Sequence, residues 1–429
     1  MKSNFSIIVI VIFIAIAVFS VLVFAGVINI GKNKNNTKSL GTVTIWGTVK
    51  SDTMAPIMQK FNEATDNYTL KYVQKFPESF DKDLLEALAS GTGPDLFFMP
   101  NDLALSYSNK IYTIPYTSFP IANFKSKFAS AGEVFMTAKG IMAFPITIDP
   151  LMMYYNRNIL DSEDIVYPPS TWDELANLAV EITQRDESRK LLRSTVALGQ
   201  FSNIKNAKDI ITTLFMQAGN KIVEERNGLF FFSALGETKG LDSLLSFYTD
   251  FSNPLKNTYS WNKSLQNSQD AFISENLAFY FGYASELKSL VNKNPNLNFL
   301  VAQVPQIKNS NFKLTNSRVT GIAISSATKK FDAAFLAASA MSSGEFAKDF
   351  ANALFIAPAR RDLLTQRPTD AYFPHFYTSA LISRSWLDPS PDDSNNVFRR
   401  MVDGVLSNTF TPKDAIGDAN AKLQLLLTK

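Results

Sequence analysis

The sequence predicts an α/β protein of two lobes behind an apolar N-terminal segment, and three observations carry that expectation. From Thr42 onward, short β-branched and aromatic runs alternate with amphipathic stretches, the pattern of sheet strands flanked by helices. Two apolar runs, Ile141–Phe144 and Leu151–Tyr155, have the length of buried strands and flank Pro145-Ile-Thr-Ile-Asp149-Pro150. The two prolines remove two backbone donors and fix φ, and Pro150 holds Asp149 extended. A stiff extended connector makes a poor hairpin and a good crossing from one lobe to another. It leaves the Asp149 carboxylate at the crossing, where a ligand cleft is expected. The third observation is length, because 429 residues suffice for two or three domains.

Composition narrows the function. The chain has no cysteine, which removes disulfides, thiolate metal sites, cysteine nucleophiles and a lipid-carrying cysteine anchor. It carries 42 basic and 39 acidic residues. Residues 1–40 hold four lysines and no acid, leaving 38 basic against 39 acidic side chains in the remainder. A near-neutral domain offers no electrostatic footprint for nucleic acid.

Residues Ile7–Ile28 are almost wholly apolar, broken by Ser20 and Gly26. At about 1.5 Å per residue that run spans a bilayer core of about 30 Å. It exceeds the usual signal-peptide core, so the expectation is a transmembrane anchor over residues 1–31, with cleavage after Ala25 left open. The positive-inside tendency of Lys32, Lys34 and Lys38 opposes export weakly. Gly26 to Asn33 nearly spells a phosphate loop but lacks its Ser or Thr and follows no sheet strand, so it is coincidence. Residues 32–41 form a polar tether.

Thr42–Trp46 reads as a first strand, and Trp46-Gly47-Thr48 as the loop at its carboxyl end, where open α/β sheets bind ligands. Met54–Phe61 has helical spacing, Tyr68–Val73 is a second strand and Phe80–Leu88 a second helix. Ser90-Gly-Thr-Gly-Pro94 stops that helix. Asp95–Met99 is a third strand, with Asp95 structural at its start and Met99, Asn101 and Asp102 as site candidates at its end. Beyond the crossing, Thr171 and Glu174 spell a capping box that makes Trp172 a packing residue. Ile210–Ala218 and Leu241–Phe247 are amphipathic helices, and Trp261 sits in a polar loop within reach of a cleft.

Gly140, Phe144, Pro145 and Tyr154-Tyr-Asn-Arg157, followed by Thr171-Trp-Asp-Glu-Leu175 and Ala357-Pro-Ala-Arg360, occur in an order that resembles the family 1 extracellular solute-binding proteins. These are the maltose-binding-protein-like receptors of bacterial ABC importers. The resemblance spans roughly residues 42–427. It implies the two-lobed periplasmic-binding-protein-like fold, each lobe a mixed sheet flanked by helices, with three inter-lobe crossings. On that pattern Phe272–Tyr283 is a return crossing ending at site candidate Tyr283, and Val319–Ser325 is a third. Ala327–Ser343 is then the helix after that strand, and Thr411–Leu427 the closing helix. The lobes become about 42–148 with 283–322, and about 149–282 with 323–429. Relatives place ligand contacts near Trp46 and Thr48. They also place an aromatic and a carboxylate after the third strand, where this chain has only Asp102. Arg360 borders the cleft in that pattern, as ligand contact or loop brace.

The resemblance implies a receptor that closes on a small polar solute and docks on ABC permease subunits, with no cofactor and no metal. For a sugar, Trp46, Tyr283, Trp261 and Trp386 are the stacking candidates, and Asp102 and Asp149 the hydroxyl acceptors. The same carboxylates suit a polyamine, and a peptide stays open. A glycoside hydrolase needs only two carboxylates, but His375 is the only histidine and the chain has neither His-Glu-x-x-His nor Gly-x-Ser-x-Gly. Iron held by Tyr154-Tyr155 is disfavoured because adjacent strand residues face opposite ways. A membrane-anchored sensor is the remaining alternative.

Overall fold

A computed structural model describes residues 40–188, 190–232, 240–366 and 368–428. The apolar run Ile7–Ile28 lies outside them. Among the described residues no helix is long and apolar enough to cross a membrane.

The strands run in chain order as β1 (Thr42–Gly47), β2 (Thr69–Gln74), β3 (Leu96–Pro100), β4 (Met136–Thr137), β5 (Gly140–Ile141), β6 (Phe144–Asn156), β7 (Gln184–Arg185) and β8 (Leu191–Val196). They continue as β9 (Val223–Arg226), β10 (Leu229–Phe232), β11 (Leu277–Tyr283), β12 (Phe299–Gln303), β13 (Thr315–Ile324), β14 (Ala357–Pro358) and β15 (Ser383–Arg384). The main sheet has the order β2-β1-β3-β13-β6-β11-β8-β7. Parallel pairs β2-β1 and β1-β3 meet the antiparallel strand β13, so the sheet is mixed.

Strand β6 ties the lobes together. It is one unbroken 13-residue strand that contains both Pro145 and Pro150, rather than two strands joined by a connector. A register shift between Thr320 and Gly321 absorbs Pro145, as a bulge can. Its first half pairs with β13 and β14, and its second half with β11 and β12. Twelve of its residues are buried, with only Tyr155 partly open, so it is a core strand from end to end. Ile146 and Ile148 belong to one hydrophobic core and Leu151 to Tyr154 to the other.

The two cores divide the chain differently from expectation after Tyr283. Leu287, Leu290, Phe299, Val301 and Leu314 pack in the same core as Leu151. The physical reason is register. β11 pairs with the second half of β6, Tyr283 opposite Leu151, so the chain has not yet left that lobe at Tyr283. The return crossing is β13, whose Val319, Ile322 and Ile324 enter the first core, followed by helices Phe331–Met341 and Gly344–Ala353. The last crossing runs from β15, which pairs with the start of β13, to the helix Pro391–Leu406. That helix and Pro412–Leu427 close the second lobe through Phe398, Met401, Ala415 and Leu423.

Local signals formed as read at Thr171, whose hydroxyl accepts the Glu174 amide at 3.3 Å while Glu174 accepts the Thr171 amide at 3.2 Å. Trp172 is buried and donates its indole N–H to Gln217 at 2.7 Å.

Candidate functional site

A cavity of about 800 Å³ lies between the lobes. That volume is in the range that holds small-molecule ligands. All three crossings supply its floor: Thr147 and Asp149 from β6, Asn316 to Arg318 from β13, and Ser385, Trp386 and Asp388 from the last crossing. Pro100, Asn101 and Asp102 line it from the first lobe. The second lobe contributes the stretch around Lys205 to Asp209, Tyr283, and the first turns of Pro391–Leu406 with Asn395, Asn396 and Arg399.

Five sequence candidates meet here. Asn101 is buried and fully engaged. Its amide donates to the Trp386 carbonyl at 2.9 Å, and its oxygen accepts the Val319 amide at 2.8 Å, so it fastens the first lobe's loop to two crossings. Asp102 faces the cavity. Burial raises its carboxyl above the usual range, although Arg318 and Lys208 pull the other way. Asp149 is buried with both oxygens spent. Oδ1 accepts the Ser285 amide at 3.0 Å and Oδ2 the Ser285 hydroxyl at 2.6 Å. Burial pushes its carboxyl up to about 6 despite those bonds. Tyr283 lies wholly buried under the Arg318 guanidinium, whose carbon is 3.9 Å from the ring centroid. Trp386 is nearly buried, with Lys208 Nζ 5.7 Å from its ring and Phe232 packed edge-on.

The other candidates sit elsewhere. Trp46 carries Lys75 Nζ 3.9 Å above its ring, Thr48 is exposed, and Met99 is buried in the first core. Arg360 makes a two-pronged pair with Asp362 at 2.8 and 2.6 Å, two residues on. Trp261 is buried in the second core and donates to Asn203 at 3.2 Å. His375 lines a separate cavity of about 580 Å³ beside Pro168 to Thr171, and burial lowers its pKa. Tyr154 is buried and donates to the Tyr283 carbonyl at 2.9 Å. Among the described residues no cluster of three acidic or histidine side chains could hold a metal.

Sequence reasoning missed the charged lining. Lys208 Nζ contacts Asp388 at 2.7 Å, Ser394 at 3.0 Å and the Pro391 carbonyl at 3.3 Å, which fastens helix Ala207–Gln217 to the last crossing. Glu286 is the hub beneath. It accepts from Tyr280 at 2.5 Å, Gln269 at 2.8 Å, Asn206 at 2.8 Å and the Tyr283 amide at 3.2 Å, and it pairs with Lys205 at 3.1 Å. Asn206 reaches it from a left-handed backbone, φ +61°, a conformation asparagine tolerates better than most residues. The one sequence signal was Arg318, a lone cation in the run Thr315–Ile324, one residue before the stretch read as a crossing.

A family model described as bacterial extracellular solute-binding protein matches residues 57–372. Among solved structures, a cyclo/maltodextrin-binding protein complexed with maltotetraose aligns at TM-score 0.73 and 16% identity, covering 91% of this chain and 98% of that one. A cyclic alpha-maltosyl-1,6-maltose binding protein from Arthrobacter globiformis aligns at TM-score 0.73 and 13% identity, covering 90% and 98%. A maltose-binding periplasmic protein from Listeria monocytogenes, in complex with maltose, aligns at TM-score 0.70 and 17% identity, covering 90% and 98%. At such identities these likenesses establish the fold.

Proposed function

The chain belongs to the bacterial extracellular solute-binding proteins, and from that premise we propose that it is the receptor of an ABC importer for a sugar or oligosaccharide. The carrying observation is that all three crossings and both lobes line one polar cavity of about 800 Å³. A ligand seated there touches both lobes at once when they close. It therefore stabilises the closed arrangement by its differential affinity for it. Permease subunits then meet a surface whose shape depends on occupancy. The sugar-complexed structures of the same fold support the ligand class.

The reading is of binding and not of turnover. The two carboxylates a hydrolase would need are Asp102 and Asp149, and Asp149 has both oxygens committed to Ser285. Ile7–Ile28 serves in this proposal as a membrane anchor, supported by its length and by the absence of cysteine. Mass spectrometry of the native membrane fraction tests it, and a mature N-terminus at Gly26 would defeat it.

The functional test is a thermal-shift panel of neutral and acidic sugars, with product analysis in parallel. A true ligand at 100 times its dissociation constant stabilises the chain by about 2.7 kcal/mol. Released product would instead indicate an enzyme, and no shift with any sugar would overturn the ligand class.

A further inference from the structure

We propose that the ligand of this cleft is a sugar bearing an oxyanion, a carboxylate or a phosphate, and that the guanidinium of Arg318 binds that group. The proposal rests on the receptor reading above and names the ligand more narrowly.

Arg318 projects from β13 at the floor shared by both lobes. Stacking on Tyr283 at 3.9 Å fixes its plane without consuming any N–H donor. An arginine carries five such donors. Here one of them reaches Asn206 at 3.4 Å, and Asp209 lies at 3.6 Å, beyond hydrogen-bond length. The side chain lines the cavity and is 55% exposed. A rigid, half-open guanidinium with most donors unspent matches a planar oxyanion two-pronged.

Of the other cations that line the cavity, Arg399 is exposed and donates to Asn396 at 3.0 Å. Lys208 is committed to Asp388, and Lys205 to Glu286. The nearest carboxylate is Asp209, 3.6 Å from the guanidinium, which accepts the Asn316 amide at 3.3 Å; farther round, Glu286 is covered by its five donors and Asp149 by Ser285. Arg318 also covers the Tyr283 face on which a neutral sugar would stack, and Trp386 is itself nearly buried.

The experiment is calorimetric titration of the full-length chain with glucuronate, digalacturonate, glucose 6-phosphate, glucose and maltose. At least one acidic sugar is expected to bind tenfold or more tightly than both neutral ones, and less tightly as salt rises. The carboxylate and phosphate arms separate the two sources of the oxyanion. Arg318→Lys keeps the charge, loses the fork, and is expected to weaken the acidic sugar about tenfold to a hundredfold. Tighter binding of glucose or maltose than of every acidic sugar overturns the proposal and leaves the receptor reading intact. Binding of none of the five overturns both. An Arg318→Lys protein that melts earlier when empty but binds the acidic sugar unchanged makes Arg318 a brace, and that also overturns it.

Discussion

Asp149→Asn tests what the carboxylate at the centre of the crossing costs the fold. Asp149 is buried, and its ordinary value of 3.8 rises to about 6 in the folded chain. The folded state therefore holds this proton more tightly than the unfolded state does. Between those two values the folded state binds more protons, so stability falls as pH rises from below 4 through about 6 and is level above. The gap corresponds to about 3 kcal/mol against the ionised native form at neutral pH. Asparagine is nearly isosteric and neutral. Its oxygen still accepts the Ser285 amide, and its amino group donates to the Ser285 hydroxyl, which turns to accept. The empty variant is expected to match the wild type near pH 4 and to exceed it increasingly up to pH 7, by at most about 3 kcal/mol. Chemical denaturation of both proteins at half-unit pH steps measures this, because other carboxylates cancel in the difference. A variant less stable than wild type at pH 8, by an amount that does not change with pH, would refute the reasoning and make the ionised carboxylate a needed brace. Sugar titrations on the same variant are expected to stay within about threefold, because both oxygens face Ser285. A loss of tenfold or more would return Asp149 to ligand contact.

The remaining expectations are smaller in scope. Lys208→Met strands Asp388 in a pair whose side chains are only 14% and 5% exposed, and should cost about 3–5 kcal/mol by denaturation. Adding Asp388→Asn to it should restore much of that. Gly140→Ala should be severely destabilising, because φ is +143° and a Cβ would fall 2.3 Å from the Ile114 carbonyl oxygen; soluble yield and melting report it. Thr171→Ala removes the cap of helix Trp172–Ile182 and should cost about 0.5–2 kcal/mol with sugar affinity unchanged. His375→Ala, at a cavity separate from the cleft, should leave sugar affinity within about threefold.

Local chemistry was legible in the sequence, and pairing was not. Thr171 with Glu174 announced a helix start because a capping box is closed within four residues. The apolar runs on either side of Pro145 and Pro150 announced buried strand, but not that the prolines lie inside a single strand. That depended on a bulge opposite Gly321, some 175 residues away in the chain. The return crossing was misplaced for the same reason. Phe272–Tyr283 has the composition of a crossing strand, and only its register against Leu151 keeps it in the second lobe.

The cleft divides in the same way. Asn101, Asp102, Asp149, Tyr283 and Trp386 reach it because strand ends and crossing segments converge there in this architecture, which motif order alone had suggested. Trp46, Met99 and Trp261 have the same residue types in similar settings, yet side-chain direction turned them towards Lys75 or into the cores. Lys208, Glu286 and Arg318 were not singled out in the sequence. Their roles come from partners that only the tertiary structure supplies: Asp388 is 180 residues from Lys208, and Asn206 is 80 from Glu286. The sequence by itself determined the first three strands and the Thr171 cap, since those depend on neighbours a few residues apart. Which charges face the ligand and which neutralise one another depends on distances of a few ångströms between distant segments, and the packing of the two lobes decided it.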